Sequence, residues 1–326
     1  MGYTSLKILS SQICIEYFYK VKKSYIYKMI NSNFSIRSFF NKLLSEETKE
    51  RSEKTIITIG IVSFLLHLFI IGLVDFNIIH LSSTSSLLSN PIAAIYTPFS
   101  FILIYEVYLL VYYLPKSTTI YIGKQYEIMT LIIIRRIFKD LSKIDLSTNW
   151  YKAEVNLVFI TDLLATIMLF YLIYIFYRLN KDNASKNSID INSIKIQKFI
   201  KLKNTFARFL IPVFLILSIY SLSHWIYESF FSISNLVIKI KDVNKIFFDD
   251  FFTILILVDV LILLYSFFVT DKFSKVIRNS GFIISTIIIK LSFGTEGILN
   301  TILILVGVSF GICILKIHNS YEKQSL

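Results

Sequence analysis

Several runs of about twenty residues carry almost no charge, and no other feature of this sequence limits the fold as strongly. The run 55–74 is one; 92–114, 155–177, 209–227, 251–270 and 298–315 are similar. Twenty helical residues at about 1.5 Å each extend about 30 Å, the thickness of bilayer hydrocarbon. In hydrocarbon the backbone must satisfy its own hydrogen bonds, which leaves helices for lone apolar runs. The sequence therefore predicts an all-α, polytopic helical membrane protein. Charged residues make up 17% of the chain, against about 25% in soluble domains, which agrees.

A seventh apolar run, 281–289, is much shorter and ends on Lys290. As a helix, 281–290 reaches only about 15 Å. The expectation is about seven transmembrane segments, within a range of six to eight, with this one a candidate short re-entrant helix near the C-terminus. The loop that follows holds Gly294, Thr295, Glu296 and Gly297. A short helix, a glycine-bearing loop and a full span is the layout of a pore loop, where backbone carbonyls and acids line the passage. A tight connection between two ordinary helices explains the same glycines.

Ionisable groups inside apolar runs disfavour insertion by about 2.5–3.5 kcal/mol each, so each calls for a reason. Glu106, Asp162 and Asp259 lie inside runs, Lys290 ends the short one, and His67 lies inside the first. Two readings are open. The acids face a hydrated route for ions or small solutes, or they pair with bases to fix packing, Asp259 with Lys290 among them. The first predicts a channel-like or transporter-like protein. The second predicts a non-transporting scaffold or accessory subunit that binds lipid or a partner protein.

Residues 126–145 differ from the apolar runs. Ile128, Leu131, Ile132, Phe138 and Leu141 make an apolar face, with Glu127, Arg135, Arg136, Lys139, Asp140 and Lys143 around it. This reads as an amphipathic connection on the membrane surface, with Arg135 and Arg136 as candidate ligands for lipid phosphate. Residues 1–54 read as a basic cap at the cytoplasmic face or membrane interface, 55–317 as the bundle with a polar loop at 178–205, and 318–326 as a short polar tail. The net charge of +12 points to anionic head groups as partners. Nucleic acid is not expected, because no separate basic domain exists. A homo-oligomer or a membrane partner is compatible with the chain. No catalytic motif, cofactor motif or metal-ligand spacing occurs, and Cys14 and Cys313 stand far apart. The richness in Ile, Lys, Asn, Phe and Tyr suggests a bacterial inner membrane.

One conflict remains in the sequence. Lys and Arg favour the cytoplasmic side of a membrane. Residues 1–54 hold ten, 81–91 none, 115–153 seven and 178–208 eight. A single crossing between the last two groups would put the last group outside. An eighth crossing through 118–134 would remove the conflict, but it would carry Lys124 and Glu127.

Overall fold

A computed structural model describes residues 39–76, 91–141, 154–184, 194–231, 243–269 and 273–324. The basic stretch 1–38 and the centre of the polar loop, 185–193, lie outside the described residues. The chain divides into two compact units, Met1–Ser52 and Glu53–Leu326. In the first, residues 39–43 are helical. Ser45 then caps the next helix: its hydroxyl accepts from the Thr48 N–H at 3.3 Å.

The helices are α1 (Glu46–Asp75), α2 (Tyr96–Tyr113), α3 (Thr118–Leu141), α4 (Glu154–Ala184), α5 (Ile194–Phe231), α6 (Val243–Val269), α7 (Phe273–Phe293) and α8 (Ile298–Gln324). A 3-10 turn, Pro91–Ile95, leads into α2. Six of them are long and apolar enough to cross a membrane, and Thr97–Tyr113 is a shorter apolar helix. The protein is thus an all-helical, polytopic membrane protein by length and composition. Its outward faces agree, since Phe209, Ile216 and Phe268 are 65%, 66% and 80% exposed. Pro98 lies in the first turn of α2, where no intrahelical donor is required, so it does not kink the helix.

Three sequence expectations are corrected. The short run 281–289 lies in a full helix of 21 residues, because Phe273 to Ser280 continue it at the N-terminal end, so it is no half-length re-entrant element. Residues 318–324 of the tail continue α8, and His318 and Asn319 are buried on it. The stretch 126–145 is no surface connection. Its described part belongs to α3, which packs against α2 on one side and α4 on the other. Tyr126, Met129 and Ile133 on α3 are buried.

Helices consecutive in the chain run antiparallel. Phe99 stacks on Phe138 and Lys124 lies over the Tyr113 ring, so α2 and α3 form a hairpin. Tyr126 meets Phe176 and Arg136 meets Asp162, so α4 returns beside α3. Phe214 meets Phe251 on α5 and α6, and Phe252 stacks on Phe293 on α6 and α7. The hairpin α7–α8 is the tightest. A Cβ at Gly281 would lie 2.6 Å from Ile314, and one at Gly307 would lie 2.7 Å from Ile289. Glycine at both positions lets the backbones approach, as in membrane helix pairs generally.

With α3 running the length of its neighbours, a crossing by α3 would remove the charge conflict. Among the described residues, Lys and Arg at one end of the bundle number two in 116–124, two in 178–184, four in 194–203, two in 273–278 and two in 316–324. At the other end the described residues hold none in 91–95 and one each in 137–141, 243–247 and 290–297. In a chain with Cys14 and Cys313 replaced by serine, single cysteines at Ser117 and Leu141 should therefore report opposite sides. A membrane-impermeant maleimide should label Leu141→Cys in intact cells and Ser117→Cys only after permeabilisation. Labelling of both under the same condition would show that α3 does not cross.

Candidate functional site

Helix α3 carries the polar interior. Consecutive residues on a helix point about 100° apart, so Arg135 and Arg136 address different neighbours. Arg135 donates from Nη2 to Glu106 Oε2 on α2 at 2.6 Å, and both side chains are almost fully buried. Arg136 forks onto Asp162 of α4 through Nε and through Nη2, the latter to Oδ1 at 2.6 Å. Its Nη1 donates to Asn300 Oδ1 at 2.6 Å and its Nη2 also to Thr301 Oγ1 at 2.7 Å. Thr301 in turn donates to Asp162 Oδ1 at 2.6 Å. A fully buried carboxylate met by a planar fork and a hydroxyl has its acceptor capacity largely used. Arg135 and Arg136, the expected lipid-phosphate ligands, are turned instead into the bundle, where two interior acids neutralise them.

About two and a half helical turns towards the basic end, Tyr126 and Ser285 bond through their hydroxyls at 2.7 Å, and Ser285 donates to the Gly307 carbonyl at 2.6 Å. Glycine at 311 makes room for this contact, since a Cβ there would overlap the Tyr126 hydroxyl. Lys124 and Glu127 pair at 2.6 Å, and Tyr177 donates to Glu127 at 2.5 Å. The two charges that argued against an eighth crossing thus satisfy each other.

Asp259 is different from the other two acids. It is 6% exposed on α6. Gln125 Nε2 donates to its Oδ2 at 3.2 Å, and the Tyr121 hydroxyl does so at the long distance of 3.5 Å. Gln125 is itself held by Thr286 Oγ1, which donates to its Oε1 at 3.0 Å. Asp259 makes no ion pair among the described residues. It lines a cavity of about 30 Å³ whose other walls include Tyr121, Lys203, Asn279 and Phe282. Lys203 is 4% exposed on α5. Its Nζ donates to the Lys116 carbonyl at 2.9 Å and lies 5.4 Å over the Phe199 ring. It thereby caps the turn that joins α2 to α3, where carbonyls lack intrahelical donors.

The remaining candidates lie apart from this cavity. Lys290 is near the C-terminal end of α7, seven residues or more beyond Ile283 on the cavity wall, roughly 10 Å along the helix axis. The structure does not bring it to Asp259. His67 is buried, and its Nδ1 bonds Thr97 Oγ1, tying α1 to the start of α2. The loop with Gly294, Thr295, Glu296 and Gly297 is a tight turn. The Ser292 carbonyl accepts from the Thr295 N–H at 3.0 Å and the Asn300 amide at 2.6 Å. Gly297, at φ 63°, takes the left-handed conformation the turn needs. The Leu291 and Ser292 carbonyls and Gly297 thus serve a tight turn, the arrangement of an ordinary helix connection.

Lys203, Gln125, Tyr121, Asn300 and Thr301 carry no weight in the sequence reading. One signal was present for Lys203. Ala207, Leu210 and Phe214 make the buried stripe of α5, and Lys203 continues their spacing by one step of four. Comparison with protein families, with characterised proteins and with solved structures finds no match to this chain.

The two arginine–acid pairs lead to a stability prediction. Removing one member of a buried pair strands a charge and costs about 3–5 kcal/mol. Arg136→Leu or Asp162→Asn should each lower the midpoint of thermal unfolding in detergent by several degrees or prevent folding. Replacing Arg135 and Glu106 together by leucine should cost less than either single change. Additive losses in the double variant would show that the two charges do not depend on each other.

Proposed function

We propose that this membrane protein moves an ion or a small polar solute, and that the cavity between Asp259 and Lys203 holds the passenger. One observation carries the reading. A buried carboxylate and a buried ammonium line one small cavity without forming an ion pair. Opposite charges at such a site attract by several kcal/mol, so keeping them apart calls for an explanation other than packing. The site also draws on α3, α5, α6 and α7, so a small shift of any of them changes the cavity. Intramembrane ionisable groups mark pathways by default when they face a cavity.

A second reading has its own support. Glu106 and Asp162 are each closed off by an arginine, as expected in a dry scaffold that only holds helices together. Reconstitution into liposomes separates the two. Purified protein should raise the flux of a proton, an alkali cation or a small solute above that of empty liposomes. Asp259→Asn and Lys203→Met should each reduce it at least about tenfold, the effect of losing about 1.4 kcal/mol, with unchanged size-exclusion profiles. Rates equal to empty liposomes for every species, with wild-type protein monodisperse, would leave the scaffold reading.

A further inference from the structure

The dimensions and walls of the same cavity narrow its passenger, given the reading that this cavity is the working site. About 30 Å³ is room for two or three water molecules, at about 10–15 Å³ each. A sugar, an amino acid or a fully hydrated metal ion needs more. The walls are largely apolar, with Leu114, Ile122, Ile262, Leu263, Phe282 and Ile283 among them. A dehydrated metal cation seeks about six oxygen ligands. The side-chain oxygens on the walls are the Asp259 carboxyl, the Thr118 and Tyr121 hydroxyls and the Asn279 amide, and Lys203 adds a positive charge that repels a cation. A proton needs one oxygen only.

Every element that faces Asp259 contributes a polar group. Tyr121 and Gln125 come from α3, Lys203 from α5 and Asn279 from α7, and the charge of Arg278 on α7 also acts on Lys203. Of these, Lys203 has two places to go. Its ammonium now donates to the Lys116 carbonyl at the α2–α3 turn, and the Asp259 carboxyl lines the same cavity as its side chain.

We infer that Asp259 carries a proton and that Lys203 changes partner with its charge. While Asp259 holds the proton it is neutral, and the ammonium stays on the Lys116 carbonyl. When the O–H bond breaks, the proton passes to a water molecule and the carboxyl becomes an anion. The ammonium then crosses to the carboxylate, and the Lys116 carbonyl loses its donor. Reprotonation from water reverses both steps, and no electrons are exchanged. The proton is thereby linked to the turn between α2 and α3, the pivot of the hairpin that carries Arg135 and Arg136.

Full-length protein in lipid nanodiscs tests this, with Cys14 and Cys313 replaced by serine and a single cysteine at Ser117, which is exposed beside Lys116. Two readouts are taken. The first is the infrared carbonyl stretch of a protonated carboxyl, which should change with pH and lose one component in Asp259→Asn. The second is the maleimide labelling rate of Ser117→Cys, divided at each pH by the rate for the same cysteine in Asp259→Asn. That division removes the thiol's own pH dependence. The ratio should rise at least about threefold between about pH 5 and about pH 9, as a shifted two-state equilibrium requires. In Lys203→Met it should be flat. A flat ratio in the wild type, a ratio unchanged by Lys203→Met, or no infrared component lost in Asp259→Asn would each overturn the inference. Solute or Na⁺ flux that needs Asp259 while the ratio stays flat would refute the proton switch and keep the cavity as a transport site. A responsive ratio without any flux would keep the switch and refute transport.

Discussion

A helix with ionised side chains can sit among apolar helices only if each charge is met inside the protein. That constraint governs this bundle. Helix α3 contains Lys124, Glu127, Arg135 and Arg136, each of which would be costly alone at membrane depth. Lys124 and Glu127 meet each other, Arg135 meets Glu106, and Arg136 meets Asp162. The arrangement of the neighbours follows. Helices α2 and α4 must flank α3 because they carry the acids, and α8 must reach it because Asn300 and Thr301 complete the Arg136 site. The interior is therefore polar where α3 passes, and the outer faces are apolar, the inverse of a soluble domain.

Small residues make that polar interior possible. Gly123 lets Tyr177 and Phe176 close on α3, and Gly281, Gly307 and Gly311 bring α7, α8 and Tyr126 together. Without close approach the short side chains Ser285, Thr286 and Thr301 could not reach across. Packing and hydrogen bonding are thus the same problem here, since lipid offers no hydrophobic drive between helices. Asp259 stands at the margin of this well-satisfied region. It faces a cavity, while the other two acids face guanidinium groups, and that contrast underlies the functional reading.

The apolar helices were legible in the sequence because length and hydropathy suffice for them, and Glu106, Asp162 and Asp259 stood out as charges inside apolar runs. Helix α3 was not legible as a member of the bundle. Its charges lower its hydropathy to that of a surface helix, and only tertiary partners from residues far along the chain reveal that they are neutralised. The positive-inside count pointed the same way: one more crossing would account for the excess of Lys and Arg in 178–208. The pairing of Asp259 with Lys290 failed because 281–289 was read as a half-helix. Once α7 extends back to Phe273, Lys290 moves to the far end and Asn279 to Ile283 take the place opposite Asp259. Lys203 hid inside a basic run, where a single lysine at core spacing does not stand out.

The Arg136 site also has a history in time. Its partners are not made together: Asp162 follows 26 residues later and Asn300 follows 164 residues later. At about 5–20 residues per second, roughly 10–30 s separate the synthesis of Arg136 from that of Asn300. During that interval the α3–α4 hairpin holds a guanidinium with one carboxylate and no amide or hydroxyl from α8. The Arg136 site is therefore finished only when α8 emerges, and a ribosome that stalls before 300 leaves the guanidinium paired but incompletely hydrogen-bonded. The site is thus assembled in two stages of synthesis, an ion pair first and its neutral hydrogen-bond partners later.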